Sequence, residues 1–271
     1  MVDHPAEFHE EIVGLLPAGG QAKRIAPLPC SKELYPIGFR STDDGRDSRP
    51  KVVSHYLLEK MRRAGIAKAY FVIRPGKWDI PTYFGDGTSL LDMNLAYLML
   101  GVPFGVPFTL DQAYPFVKKA KVAFGFPDIM FECDDAFTRL INRQSASHAD
   151  ITLGLVPAKH PSTDDTVDVD VNGEVRNLVV CPSESSLRFS WCIALWTPAF
   201  TEFLHTYVKD KNSMPPPESE LSMGFAIKAG IDTGFLVDTV ILSDTTPYVD
   251  IGTPKQLYES IKHSVQTRPI N

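Results

Sequence analysis

The sequence predicts an α/β protein with a mostly parallel sheet, and three observations predict it. Short apolar runs at Ile12 to Leu16, Ala69 to Ile73, Val122 to Phe126 and Ile151 to Val156 read as buried strands. Between the first two lies a segment of helical spacing, so the chain opens as strand, loop, helix, strand. The first strand breaks into Pro17-Ala18-Gly19-Gly20, a small-residue turn followed by the basic residues Arg24 and Lys32. Open α/β sheets hold ligands at such strand ends.

The remaining elements follow in order. Gly38 to Pro50 is polar and reads as an exposed excursion. Lys51 to Ala64 sets Val52, Val53, Tyr56, Leu57, Leu58 and Met61 at helical spacing, with Gly65 suited to the helix end. Gly85-Asp86-Gly87-Thr88 is a turn before a third strand, Met93 to Met99. A Gly-Val-Pro-Phe pair at 101–104 and 105–108 has no function legible in the sequence. Leu110 to Ala120 is helical in pattern and ends in Lys118 and Lys119, favourable at a helix C-terminus. Pro127-Asp128 closes the strand at 122–126, and a helix spans Asp134 to Gln144.

Asp164 to Val180 alternates polar and β-branched residues about Asn172-Gly173, a hairpin signal. Ser190 to Trp196 and Phe235 to Leu242 read as strands, with helices at Pro198 to Val208 and Glu218 to Ala229 between them. Val249-Asp250-Ile251-Gly252-Thr253-Pro254 leads into a closing helix whose first turn suits Pro254. There is no linker or low-complexity segment, so one domain is expected over residues 1–271, in two parts, about 12–150 and 151–271.

Composition narrows the function classes. Hydrophobic residues at 44% with 22% charged are ordinary for a globular protein. A net charge of -6, with no Lys/Arg cluster among aromatics, argues against a nucleic-acid partner. No apolar run approaches membrane-spanning length, and Met1 to Glu11 is polar, unlike a signal peptide. Cys30, Cys133, Cys181 and Cys192 are scattered, which fits reduced thiols, and a cytoplasmic protein is expected. There is no G-x-S-x-G elbow, H-E-x-x-H or Walker lysine-serine pair. The second strand runs into Arg74-Pro75, without the acidic residue that a dinucleotide ribose needs.

The turn after the first strand carries the positive evidence. Gly19 and Gly20 leave backbone N–H groups open to an anion, and Arg24 and Lys32 add fixed positive charge. From this turn alone, a phosphate loop and an ordinary strand-to-helix turn with surface basic residues both remain open.

Four segments in order carry a resemblance. They are Pro17-Ala18-Gly19-Gly20-x-Ala22-x-Arg24-x-x-Pro27 with Ser31-Lys32-Glu33-Leu34-x-Pro36-Ile37; Gly85-Asp86-Gly87-Thr88 with Asn94-Leu95-x-Tyr97; the strand ending at Asp128; and Val249-Asp250-Ile251-Gly252-Thr253-Pro254. The chain resembles the sugar-1-phosphate nucleotidyltransferases, in particular the glucose-1-phosphate thymidylyl- and uridylyltransferases.

That resemblance implies a three-layer, Rossmann-like fold and transfer of a nucleoside monophosphate from an NTP, UTP or dTTP, to a sugar 1-phosphate or related phosphate, with release of pyrophosphate. It implies Mg²⁺ held by Asp128 and Asp250, catalytic roles for Arg24 and Lys32, and nucleotide binding by Ala18, Gly19, Gly20, Thr109 and Gln112. It also implies an acceptor-binding second part and a homo-oligomer. Four departures accompany it. Ala22 and Thr109 stand where glycines are usual, the loop between Arg24 and Lys32 is about two residues shorter than the common pattern, and Val180-Cys181-Pro182 stands for Glu-Lys-Pro, so the acceptor lysine is absent. Arg188 is the nearest substitute cation, and Cys181 is expected to be a small buried residue. The alternative is a non-catalytic regulator that binds a nucleotide sugar.

Overall fold

Along the first strand, β1 (Ile12–Ala18), successive side chains face opposite ways, and both sides are buried. Val13 and Leu15 enter one apolar cluster, Leu16 and Ala18 another. A strand buried on both faces needs helices on both, and the computed structural model, which describes residues 10–41, 46–101, 104–159, 164–212 and 220–267, has them. The first cluster is capped by α4 (Val106–Asp111), α5 (Tyr114–Val117), α7 (Pro198–Asn212) and α8 (Met223–Asp232). The second is capped by α1 (Val53–Arg63), α2 (Asp79–Phe84) and α6 (Ala136–Ser147), with a short α3 (Thr88–Leu91) at the edge.

Strands β4 (Lys68–Ile73), β5 (Asn94–Met99) and β6 (Lys121–Gly125) join β1 in the parallel order β5-β4-β1-β6. The expected parallel sheet holds over this half. It becomes mixed at β11 (Phe189–Trp196), which runs antiparallel to β6, to β8 (Ile151–Pro157) and to β9 (Thr166–Val169). β12 (Val237–Ile241) extends β8 in parallel, and β10 (Val175–Val179) pairs antiparallel with β9 about Gly173, whose φ is +91. Two small ribbons lie outside this sheet. One joins β2 (Pro36–Ser41) to β3 (Ser48–Val52), and the other joins β7 (Ile129–Met130) to β13 (Val249–Asp250), which precedes the closing helix α9 (Pro254–Thr267).

The structure corrects three element expectations. Within the polar stretch 38–50, the described residues belong to the β2-β3 ribbon, which carries the exposed side chains on paired backbone; residues 42–45 lie outside the described residues. The helix expected over Leu110 to Ala120 is two short helices, each with a proline in its first turn. Pro115 has no N–H to bond back one turn, so α4 ends and α5 begins. The helix expected from Glu218 begins at Met223, with residues 218 and 219 outside the described residues. It passes through Gly230 and stops before Gly234, whose φ of +97 suits a helix end. Gly230 is instead a packing glycine, where an added Cβ would meet Phe200 at 3.0 Å. Among the described residues no helix is long and apolar enough to cross a membrane.

Candidate active site

Parallel pairing of β1 with β6 brings their C-terminal ends side by side, so the turn after Ala18 and the segment after Gly125 open into one space. That space is a cleft of about 370 Å³ whose lining includes Gly19, Gly20, Arg24, Lys32, Asp128 and Asp250. Asp250 arrives from far along the chain through the β7-β13 ribbon. There Asp250 pairs with Ile129, and the Ile251 N–H reaches the Asp128 carbonyl at 3.4 Å. The two aspartates predicted to work together therefore lie side by side, Asp128 in the turn that enters β7 and Asp250 on β13.

Charge in this group is closely coupled. The Lys32 ammonium donates to Asp128 Oδ2. Burial alone would lower the Lys32 pKa, but the Asp128 carboxylate outweighs that and holds it above its usual value. Asp250 is pushed up to about 6, first by burial and then by the charge of Asp128. The Gly252 N–H donates to Asp250 Oδ1 at 2.7 Å, and Arg24 contributes opposing positive charge. Gly252 packs closely against this group, where an added Cβ would lie 3.0 Å from the Arg24 guanidinium and 2.9 Å from Asp250 and would press on both side-chain ends.

The turn itself is held tightly. An added Cβ on Gly19 would meet Leu100 at 2.7 Å, and one on Gly20 would approach Lys32 Nζ at 3.9 Å. Ala22 adopts φ +53, a left-handed conformation that glycine takes without strain, and its carbonyl accepts from Ile25 and Ala26. Lys32 sits on a single helical turn, Lys32–Leu34, anchored from behind. Asp79 accepts from the Ser31 N–H at 2.6 Å and the Ser31 hydroxyl at 2.7 Å, and Lys77 donates to both Glu33 oxygens at 2.7 Å.

Glu33 and Lys77 are both buried, and desolvation raises the Glu33 pKa against the pull of Lys77. Lys77→Met would leave that carboxylate buried without its partner and is expected to cost about 3 kcal/mol, the low end for a broken buried pair. Urea unfolding at pH 7.5 checks this, and an unchanged midpoint would refute it.

The predicted nucleotide and acceptor residues fare unevenly. Ala18 is fully buried at the strand end and is absent from the cleft lining. Thr109 does line the cleft, but one turn into α4, where its hydroxyl donates to the Gly105 carbonyl at 3.0 Å. The glycine on this wall is Gly105, with φ +122, the second glycine of the repeated Gly-Val-Pro-Phe. Gln112 caps the end of α4 outside the cleft lining. Arg188 is also outside it, exposed, donating to the Asp244 carbonyl at 3.2 Å and lying over the Phe189 ring.

Cys181 is exposed and lines the cleft, contrary to the expected small buried residue. Burial of its sulfur and the Asp165 carboxylate push its thiol up to about 11, so it carries no thiolate at neutral pH. The sequence reading missed Asp164, Asp165, Trp191, Ser222 and Tyr248 in the cleft wall. The hairpin signal at 164–180 covered Asp164 and Asp165, and the strand read over Ser190 to Trp196 contained Trp191, but neither signal marked a site.

The architecture defines a class by fold: an α/β protein with a mixed sheet that matches nucleotidyltransferase-like structures. Two solved structures carry that likeness. One is from a Bacillus anthracis protein provisionally named a glucose-1-phosphate thymidylyltransferase, solved with sucrose. It has a TM-score of 0.76 and 17% identity, over 96% of this chain and 96% of that one. The other is a UDP-glucose pyrophosphorylase complexed with UDP-glucose, at a TM-score of 0.74 and 14% identity, over 95% of this chain and 100% of that one. No family model and no curated protein matches the chain.

Proposed function

We propose that the protein is a magnesium-dependent nucleotidyltransferase that joins the nucleoside monophosphate part of an NTP to a phosphate-bearing acceptor and releases pyrophosphate. UTP and dTTP are the first triphosphates to test. The observation that carries this reading is the meeting of Asp128 and Asp250, from distant parts of the chain, beside the Gly19-Gly20 turn, Lys32 and Arg24. Joining two anions requires their repulsion to be neutralised while they are held in line.

The donor set fits magnesium. Mg²⁺ takes one or two protein carboxylates and fills its remaining positions with water and substrate phosphate. Among the described residues no cluster of three or more His, Cys, Asp or Glu is arranged as an all-protein cage. Asp250, pushed up to about 6, is a carboxyl short of positive charge. A bound Mg²⁺ would neutralise triphosphate charge and make the α-phosphorus more open to attack. The chain's own groups do the rest in this reading. Backbone N–H groups at Gly19 and Gly20 cradle phosphate oxygens, Lys32 bridges phosphates near the reacting centre, and Arg24 stabilises charge on the departing pyrophosphate.

One observation favours the non-catalytic alternative: Cys181 lines the cleft where the resemblance puts a lysine. Pyrophosphate release from five triphosphates and a panel of phosphate acceptors separates the two. Turnover is expected, lost to a chelator, lost in Asp128→Ala and reduced ~100-fold in Arg24→Ala. Tight nucleotide-sugar binding with no turnover would establish the regulator instead.

A further inference from the structure

The wall of the cleft away from the glycine turn has an unusual charge balance for a site meant to receive an anion. Of the six carboxylates in the cleft lining, Glu33 is paired with Lys77, and Asp128 and Asp250 stand beside Lys32 and Arg24, which leaves Asp164, Asp165 and Glu220 to this wall and no cleft-lining cation with them among the described residues. Nearby cations are committed elsewhere: Lys159 pairs with Glu259, Lys228 with Asp232, and Arg188 reaches the Asp244 carbonyl. A doubly charged acceptor phosphate with a neutral body would meet net repulsion along this wall.

The wall is also aromatic. Trp191 and Phe126 stand 6.0 Å apart between ring centres, and Tyr248 lines the same space while donating to Asp164 at 2.7 Å. Asp165 lies against Trp191. The Cys181 N–H donates to its Oδ1 at 3.2 Å, and the Trp191 side chain donates to the same carboxyl. Its other oxygen lies over Gly224 at the start of α8, where an added Cβ would come within 2.1 Å. A carboxylate keeps acceptor sites beyond these contacts. The Ser222 hydroxyl, also in the cleft wall, is buried with no hydrogen-bond partner among the described residues.

Carboxylates beside aromatic faces form a receptor for an organic ammonium, held by charge and by the ring quadrupole. We propose that the acceptor is a phosphate ester carrying an ammonium group, either an amino-sugar 1-phosphate or an amino-alcohol phosphate, with Asp165 as the specificity-determining residue. This rests on the transferase reading above. Burial raises the Asp165 pKa, so its anion is one that a bound cation would stabilise.

The test compares matched acceptors by pyrophosphate release: glucosamine 1-phosphate against glucose 1-phosphate, and phosphoethanolamine and phosphocholine against glycerol 3-phosphate. The ammonium member of one set is expected to lead in kcat/KM by ~10-fold or more, equivalent to about 1.4 kcal/mol. Which set responds distinguishes the amino sugar from the amino alcohol. Asp165→Asn is expected to collapse that ratio. Cys181→Lys, at an exposed position, is expected to shift preference toward the neutral acceptor even if the first variant folds poorly. Equal or better use of neutral acceptors, or no turnover of any ammonium member, overturns this inference. Binding heats for the triphosphates with Mg²⁺ separate the two levels: no heat from any triphosphate and no turnover removes the transferase reading itself.

Discussion

Asp250→Asn is expected to abolish metal-dependent turnover and at the same time to make the protein more stable at pH 8. Both follow from one geometry. The β7-β13 ribbon brings Asp250 beside Asp128 in a largely buried setting, which pushes its carboxyl up to about 6. Asparagine keeps the size and the oxygen that the Gly252 N–H uses, and removes the charge that repels Asp128. It also removes a proposed metal ligand, so turnover should fall by ~10³-fold or more.

The pH dependence has a definite sign. In the unfolded chain Asp250 titrates near the ordinary 3.8, and in the native state near 6. Above pH 6 it is ionised in both states, and the native state bears the full penalty of the buried charge. As pH falls from 6 toward 3.8 the native state binds the proton first, so stability rises; below 3.8 the penalty is gone. At about 1.4 kcal/mol per pH unit the penalty is on the order of 3 kcal/mol, shared with Asp128. Thermal melts should give the variant a Tm higher by several degrees at pH 8 and no advantage at pH 4. Mg²⁺ should raise the Tm of the native protein at pH 8 and leave that of the variant unmoved. Coincident melts of the two proteins at pH 8 would show that no such repulsion exists.

The resemblance, and not local patterning, joined this pair, because an aspartate just past an apolar strand or before Ile-Gly-Thr-Pro is also what a cap or a turn requires. The Gly19-Gly20 turn was legible from the residues themselves, since small residues after a buried apolar run mark a strand end. The opposite wall was not. Counting along Leu110 to Ala120 as one helix put Thr109 in a loop, whereas prolines at 107 and 115 set two short helices and put Thr109 inside the first. Arg188 was chosen by closeness in sequence to Cys181, but it lies just before a strand whose backbone carries it out to the Asp244 carbonyl. Asp164, Asp165 and Tyr248 reach the cleft only through long-range pairing, as in the hydroxyl of Tyr248 on Asp164, and no local pattern encodes such a contact. The change of sheet direction at β11 was hidden likewise, since a fully buried strand reads the same in either orientation.

The repeated Gly-Val-Pro-Phe, mute in the sequence, acquires a function from one close approach. Gly105 has φ +122 and ψ -178, a region that essentially only glycine occupies, and its α-carbon lies against the backbone of Leu221. An added Cβ would fall 2.2 Å from the Leu221 carbonyl oxygen and 2.5 Å from its nitrogen. Two hydrogen bonds close this clamp, Val106 N–H to the Leu221 carbonyl at 3.1 Å and Leu221 N–H to the Phe104 carbonyl at 3.0 Å. The clamp fixes Glu220 and Ser222, both in the cleft wall, opposite the glycine turn. Gly105→Ala must therefore adopt a conformation costing ~1–3 kcal/mol and force apart two bonds worth about 1 kcal/mol each, a total near 4 kcal/mol. The first glycine of the pair is an internal control. At Gly101 an added Cβ meets nothing nearer than the Gln112 side chain at 3.7 Å, so Gly101→Ala should unfold within ~0.5 kcal/mol of the native protein. Urea titration of the two variants side by side decides the matter. Equal midpoints would mean that the Gly105–Leu221 contact does not hold this wall in place, whereas loss confined to the second glycine assigns the repeat its structural purpose.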